Sequence, residues 1–217
     1  MALIDLTPDT PAYPLSLDAY LAGEAPNRLM ALGNQVLLRQ RSLALFCSVR
    51  CPGSLILKSH DLAQQLRQAN VPVISSFHSP IEKECLTILL RGRNPLILCP
   101  ARSLVGLQLR AEWRAPLEQG RLLLLSPFAP GQRRPNTAMA RQRNRLVGAL
   151  AGAIFIAYAA PGGKTEQLCR DFITWGKPVY TFQSETTAHL IELGIKPVEM
   201  EELVEGWAKV QATDGRG

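Results

Sequence analysis

Along the chain, short apolar runs alternate with longer stretches in which apolar residues recur every three or four positions. The runs at 42–47 (SLALFC), 71–75 (VPVIS), 95–100 (PLILCP), 121–126 (RLLLLS), 153–159 (AIFIAYA) and 178–182 (PVYTF) have strand length and almost no polar alternation. The stretch 52–70 follows Pro52 and Gly53 and places Leu55, Leu62, Leu66 and Ala69 on one helical face. The stretch 79–92 predicts a helix with Ser79 as N-cap, Pro80 at the first position and Gly92 beyond the end. Further helices are expected around 112–119, over 136–152 with Asn136 as cap, over 163–176 closed by Gly176, and around 186–193 and 198–210.

Strands without a polar face need cover on both sides, and strands alternating with helices imply parallel pairing. The expected fold class is therefore α/β: a Rossmann-like, doubly wound, mostly parallel sheet with helices on both faces. The first residues differ. Pro8, Pro11, Pro14 and Pro26 make them turn-rich, with one short helix around 15–21. Residues 1–35 are expected to form an N-terminal extension packing on the core, and 36–217 the Rossmann-like domain.

In such folds ligands bind beyond the carboxyl ends of the strands, so the strand-to-helix loops are where chemistry is expected. After the run 42–47, the loop CSVRCPG (47–53) places Ser48 and Arg50 before Gly53, which opens a helix. Backbone N–H groups at a helix start favour an anion, and Arg50 is suited to grip a phosphate through two parallel hydrogen bonds. The dinucleotide signature G-x-G-x-x-G is absent. The next loop, SSFHSPIEKE (75–84), offers Ser76 and His78 as phosphate donors, with His78 also suited to proton transfer near neutral pH. Glu82 and Glu84 either complement the helix dipole or take a functional part.

Two further segments hold candidate contacts. Residues 133–150 carry Arg133, Arg134, Arg141, Arg143 and Arg145, with Asn144 beside them. Arg141 and Arg145 are four apart and share a helix face, which is either solvated or neutralised by phosphates. The stretch IFIAYAAPGGKTEQL (154–168) has the letters of a triphosphate loop. The pattern G-x-x-x-x-G-K-[ST] requires a glycine at position 158, where Tyr158 stands, so ATP hydrolysis is not expected. What remains is a turn in which Gly162 and Gly163 let backbone amides approach an anion, Lys164 is a phosphate contact, and Thr165 caps or donates.

Composition changes this picture little. Lys and Arg number 24 against 18 Asp and Glu, a net charge of +6, which suits a phosphate-rich partner as well as it suits a mildly basic soluble protein. The longest apolar run, 146–160, is interrupted by Gly148, Gly152 and Tyr158, so no membrane span is expected. The N-terminus lacks a basic region followed by an apolar core, so a cytoplasmic location without a secretory signal is expected. The five cysteines lie mostly in apolar patterns, as reduced thiols do. Cys47 and Cys51 have no second pair or neighbouring histidine, so neither a metal nor a cofactor is expected.

Taken together, YP (13–14), ALGN (31–34), the Ser-x-Arg turn after the run 42–47 and above all RQRNRLVGALAGAIFIAYAAPGGKTEQLCRDFITWGKPVYTF (141–182) resemble the DNA-processing protein A (DprA/Smf) family. The R-N-R-[IL]-[IV]-x-G-L segment of that family is similar to Arg143-Asn144-Arg145-Leu146-Val147-Gly148-Ala149-Leu150. The resemblance covers roughly residues 13–182. It implies an extended Rossmann-like domain that binds single-stranded DNA, forms a homodimer and helps load a RecA-type recombinase. Ser48, Arg50, Gly53, Ser76, His78, Arg143, Asn144, Arg145, Gly162, Gly163, Lys164 and Thr165 are the expected contacts to DNA or to a nucleotide. Where the family has G-S-R, this chain has Cys47-Ser48-Val49-Arg50, and its S-G-x-A-x-G-I-D loop is here Ser75 to Glu82.

The same turn also resembles the lysine-decarboxylase-like phosphoribohydrolases, whose P-G-G-x-G-T-x-x-E is similar to Pro161-Gly162-Gly163-Lys164-Thr165-Glu166 with one residue missing. That resemblance implies nucleotide N-glycosidic cleavage carried by Glu166 with Arg141 or Arg143. A nucleotide-sensing domain is the third alternative.

Overall fold

The computed structural model describes residues 2–214. Six strands run as expected from the apolar runs: β3 (Leu43–Cys47), β4 (Val73–Ser75), β5 (Leu96–Leu98), β6 (Leu122–Ser126), β7 (Ala153–Tyr158) and β8 (Val179–Phe182). Beyond them comes a strand absent from the sequence expectation, β9 (Lys196–Val198). Two more strands precede them, β1 (Ile4–Leu6) and β2 (Leu29–Gly33). The helices are α1 (Leu17–Leu21), α2 (Gly53–Gln68), α3 (Pro80–Leu90), α4 (Ala111–Glu118), α5 (Thr137–Leu150), α6 (Lys164–Thr174), α7 (Ala188–Glu192) and α8 (Met200–Asp214).

The described strands form one sheet in the order β1-β2-β6-β5-β4-β3-β7-β8-β9. From β6 through β9 every pairing is parallel, whereas β1–β2 and β2–β6 are antiparallel. The segment before residue 35 thus extends the sheet edge by two strands, and α1 packs on α5. β1 and β9 escaped the sequence reading because each has only three residues beside polar or proline signals, and β2 because its five residues directly follow the turn-rich, proline-marked segment. β9 holds Pro197, which an edge strand tolerates because one side of its backbone stays unpaired.

Alternate residues of β3 explain the two layers. Leu43 and Leu45 face a core built with Leu55, Leu62 and Leu66 of α2, Cys85 and Leu89 of α3, and Leu203 and Trp207 of α8. Ala44 and Phe46 face the other core, with Leu17 of α1, Leu146 and Val147 of α5, and Phe172 of α6. A strand buried on both faces requires such double cover. Gly148 sets how closely α5 approaches α6: a Cβ there would meet Phe172 Cε1 at 2.1 Å. The tilted ring pair of Phe46 and Phe172, with centroids 5.4 Å apart, fills the same contact.

The winding places the functional edge. From β3 the chain proceeds outward through β4 and β5 to β6. Then α5 carries it back to β7, on the opposite side of β3. The strand order reverses between β3 and β7, and a crevice opens there between the loops leaving their carboxyl ends.

Candidate functional site

The two loops at that reversal are tied together. Ser48 N–H donates to Tyr158 O at 2.8 Å, and Ala160 N–H donates to Ser48 Oγ at 3.0 Å. Ser48 is buried, so it joins the loops and presents no group to solvent. Arg50 projects from the same loop, exposed, and Lys164 is exposed across the crevice at the start of α6. Neither has an ion-pair partner among the described residues.

The helices that follow the strands are capped unequally. α3 is capped by Ser79, whose hydroxyl accepts from Glu82 N–H, and α5 by Asn136, which accepts from Met139 N–H. No side chain caps α2 or α6. Their first N–H groups, including that of Gly53 in α2 and those of Lys164 and Thr165 in α6, therefore keep the partial positive charge that attracts an anion.

The glycine turn works differently from the sequence expectation. Gly162 takes a left-handed φ of 68°, and its N–H donates to Glu166 Oε2 at 2.6 Å. Gly163 N–H donates to Ala160 O at 2.9 Å. Both amides are spent inside the turn, so the N–H groups that face outward come one step later, in the helix. Glu166 holds the turn shut, and its other oxygen accepts from Arg170 Nη2 at 2.7 Å. The Gly162 N–H first, and then Arg170, hold its carboxyl below the usual carboxylate range.

The loop after β4 is organised by a residue that the sequence left ambiguous. Glu82 is buried, and its carboxylate accepts from Cys47 N–H (3.0 Å), Ser76 Oγ (2.7 Å) and His78 N–H (2.7 Å). It thereby joins the loops after β3 and β4. The Ser79-x-x-Glu82 capping box was legible in the sequence; that the carboxylate also reaches a second loop was not. Ser76 is consumed by this network, while the His78 side chain is exposed.

Arg143 lies beneath the loops at 3 % exposure. Its Nη1 donates to Cys99 O at 3.2 Å, and its Nε to Asn144 Oδ1 at 2.7 Å. Burial lowers its pKa, and the negative charge of Glu82 opposes that shift. Arg143 therefore braces the floor of the loops and is not at their surface, while Asn144, half-buried, holds its guanidinium in place. The helical period explains this: position 143 falls on the same inward face of α5 as Met139, Leu146 and Val147. Arg145 is also engaged, ion-paired with Glu24, 3.7 Å from Asp171 Oδ2 and over the Trp175 ring. Glu166, Arg141 and Arg143 do not form a constellation: among the described residues no ion pair joins either arginine to the glutamate.

Further cations line the same edge. Ser126 Oγ donates to Arg102 O at 2.7 Å, and Ser103 N–H donates to Gln132 O at 2.8 Å, which knits the loops after β5 and β6. Arg102 Nε is buried with no hydrogen-bond partner among the described residues, and Arg133 and Arg134 are exposed beyond it. The five cysteines are free thiols. Burial raises the pKa of Cys47 and Cys51, so neither is a ready nucleophile near neutral pH.

Residues 5–206 match the family model of DNA recombination-mediator protein A. The chain belongs to that family. The recombination-mediator fold is also seen in solved structures. DNA processing protein A (DprA) from Streptococcus pneumoniae superposes with a TM-score of 0.75 at 20% identity, over 90% of this chain and 71% of that one. DNA processing protein A from Helicobacter pylori, whose structure bears on a single-stranded DNA binding mode, gives 0.78 at 18% identity, over 95% and 96%. The molybdenum cofactor carrier protein of Chlamydomonas reinhardtii shares only the fold, with a TM-score of 0.54 at 10% identity over 80% and 99%. No curated protein matches the sequence. No helix among the described residues is long and apolar enough to cross a membrane.

Proposed function

We propose that this protein binds single-stranded DNA along the carboxyl edge of its sheet, centred on the crevice between β3 and β7. The observation that carries this is the meeting, at the strand-order reversal, of two cations without acidic partners among the described residues, Arg50 and Lys164, with two helix N-termini that no side chain caps. Phosphates are the ligands that such an arrangement favours, and Arg102, Arg133 and Arg134 extend the positive edge for a polyanion longer than one nucleotide. Membership of the recombination-mediator family and the fold shared with the Helicobacter pylori protein support a single strand as that polyanion.

In this reading Arg50 and Lys164 contact phosphates directly. Glu82, Arg143 and Asn144 position the loops from below, and Ser48 locks the crevice walls. The protein acts in the cytoplasm as a homodimer that passes the coated strand to a RecA-type recombinase. The N-glycosidase alternative gains no support, because both carboxylate oxygens of Glu166 are committed to Gly162 and Arg170.

Fluorescence anisotropy with a labelled oligothymidine tests the proposal. Affinity is expected to fall linearly on a log–log plot against salt, and Arg50→Ala with Lys164→Ala to flatten that slope by about 0.7 per phosphate contact removed. Absence of binding at low salt would refute it.

A further inference from the structure

A separate cleft of about 450 Å³ runs down the outer flank of α5. Its floor is the face made by Ala138, Arg141, Gln142 and Arg145, which recur three or four residues apart. Opposite stands the N-terminal segment, with Leu21, Glu24 and Pro26. Pro127 closes one end. Pro127 directly follows β6, and Ala138 lies in the first turn of α5, so that end opens at the same carboxyl edge as the crevice.

The charges within the cleft are unequal. Arg145 is balanced by Glu24 inside and Asp171 behind. Arg141 is exposed and has no ion-pair partner among the described residues. The cleft therefore offers one guanidinium without an ion-pair partner among the described residues, one primary amide, and walls in which proline and aliphatic carbon share the lining about equally with polar groups. A pocket of this size with both kinds of wall matches a small molecule with a flat body and an anionic end. A nucleotide has that chemistry.

We propose that this cleft is a second nucleotide subsite, which takes one nucleotide of a single strand that has already been gripped at the crevice. The inference rests on the proposed binding at the crevice and adds to it a position outside the sheet. Arg141 grips the phosphate through two parallel hydrogen bonds. The base lies between Pro26 and Pro127, with the Gln142 amide at its edge as both donor and acceptor. Two features of the molecule favour a strand over an acidic protein segment. The cleft continues the edge that bears Arg133 and Arg134, and among the described residues its one charge without an ion-pair partner is a single guanidinium, which suits one phosphate.

Binding of oligothymidines of about 4, 8 and 12 nucleotides, measured by anisotropy at fixed salt, tests this. The wild-type protein is expected to gain about tenfold in affinity once the strand is long enough to reach from crevice to cleft. Ala138→Trp, which fills the cleft at an exposed position, is expected to remove that gain while leaving the affinity for the shortest strand unchanged. Arg141→Ala is expected to remove most of the gain and to lower the salt slope for long strands only, by about 0.7. A length gain that survives both substitutions overturns the subsite and leaves binding at the crevice standing. No binding of any strand by the wild-type protein overturns both. Binding of poly-glutamate that Ala138→Trp abolishes, with the length gain intact, gives the cleft to an acidic protein segment and overturns the nucleotide subsite.

Discussion

Two layers of the same edge use charge in opposite ways. In the rim, Arg50 and Lys164 stand exposed at the mouth of the crevice, without acidic partners among the described residues. In the floor, Glu82 and Arg143 are buried at 4 % and 3 % exposure, and their hydrogen bonds go to loop and strand-end groups: Cys47, Ser76 and His78 for the glutamate, Cys99 and Asn144 for the arginine. A buried charge is tolerated only when its hydrogen bonds are satisfied and an opposite charge is near. An exposed cation has no such need and remains free for a ligand. The lesson is that the floor should govern stability and the rim affinity, and each can be disturbed separately.

The largest effect belongs to the floor. Glu82→Ala leaves four donors, the N–H groups of Cys47, His78 and Ser79 and the Ser76 hydroxyl, without their acceptor and removes the negative charge near Arg143, and is expected to lower the unfolding free energy by about 3–5 kcal/mol. Urea denaturation reads this as a lower midpoint; an unchanged midpoint would dissolve the distinction between floor and rim. Next comes a change remote from both layers. Gly148→Ala drives a methyl group into Phe172 and is expected to cost about 1–3 kcal/mol through overpacking between α5 and α6. Affinity for single strands should be retained in the folded fraction, which separates packing from the site.

In the rim, Arg50→Ala is expected to leave stability within about 0.5 kcal/mol of the wild type while weakening single-strand binding about tenfold. Paired denaturation and anisotropy measurements check both halves, and a loss of stability equal to that of Glu82→Ala would place Arg50 in the floor. The smallest effect concerns the turn between them. The carboxyl of Glu166 titrates below its usual range in the folded chain, so its contribution is present above the ordinary glutamate pKa and disappears as pH falls through the lower folded value. Protonation removes the charge that draws the Gly162 N–H. The amide resonance of Gly162 should therefore shift, in an NMR titration, with a midpoint below that of a free glutamate. A midpoint at the ordinary value would mean that the turn does not depend on this contact.

How much of this was legible in the sequence varies from residue to residue. The caps of α3 and α5 were readable because Ser79 and Asn136 act on N–H groups three residues away, within the reach of local patterning. The importance of the R-N-R segment was visible, but its depth was not. Arg143 and Arg145 are two apart on a helix, so one turns beneath the loops and the other toward Glu24 and Trp175. The sequence denied the glycine turn a triphosphate because Tyr158 stands where that loop needs glycine. That its two amides close on Glu166 and Ala160 depends on how the turn folds over the end of β7. Glu82 carried the signature of a cap and gave no local sign that it accepts from Cys47, a residue 35 positions earlier.

By itself, then, the sequence determined the parallel, doubly covered sheet, since unbroken apolar runs and helical periodicity are local consequences of burial on both faces. It also singled out candidate contacts in the strand-to-helix loops and on the helices that follow them. Only the tertiary structure decided which of those residues are free. The order β6-β5-β4-β3-β7-β8 brings together loops more than a hundred residues apart, as Ser48 and Ala160 show. Once such loops meet, buried polar groups must find partners among whatever the fold places beside them. That requirement commits Ser48, Glu82, Arg143 and the two glycine amides to the protein itself, and it leaves Arg50, Lys164 and Arg141 free of acidic partners among the described residues.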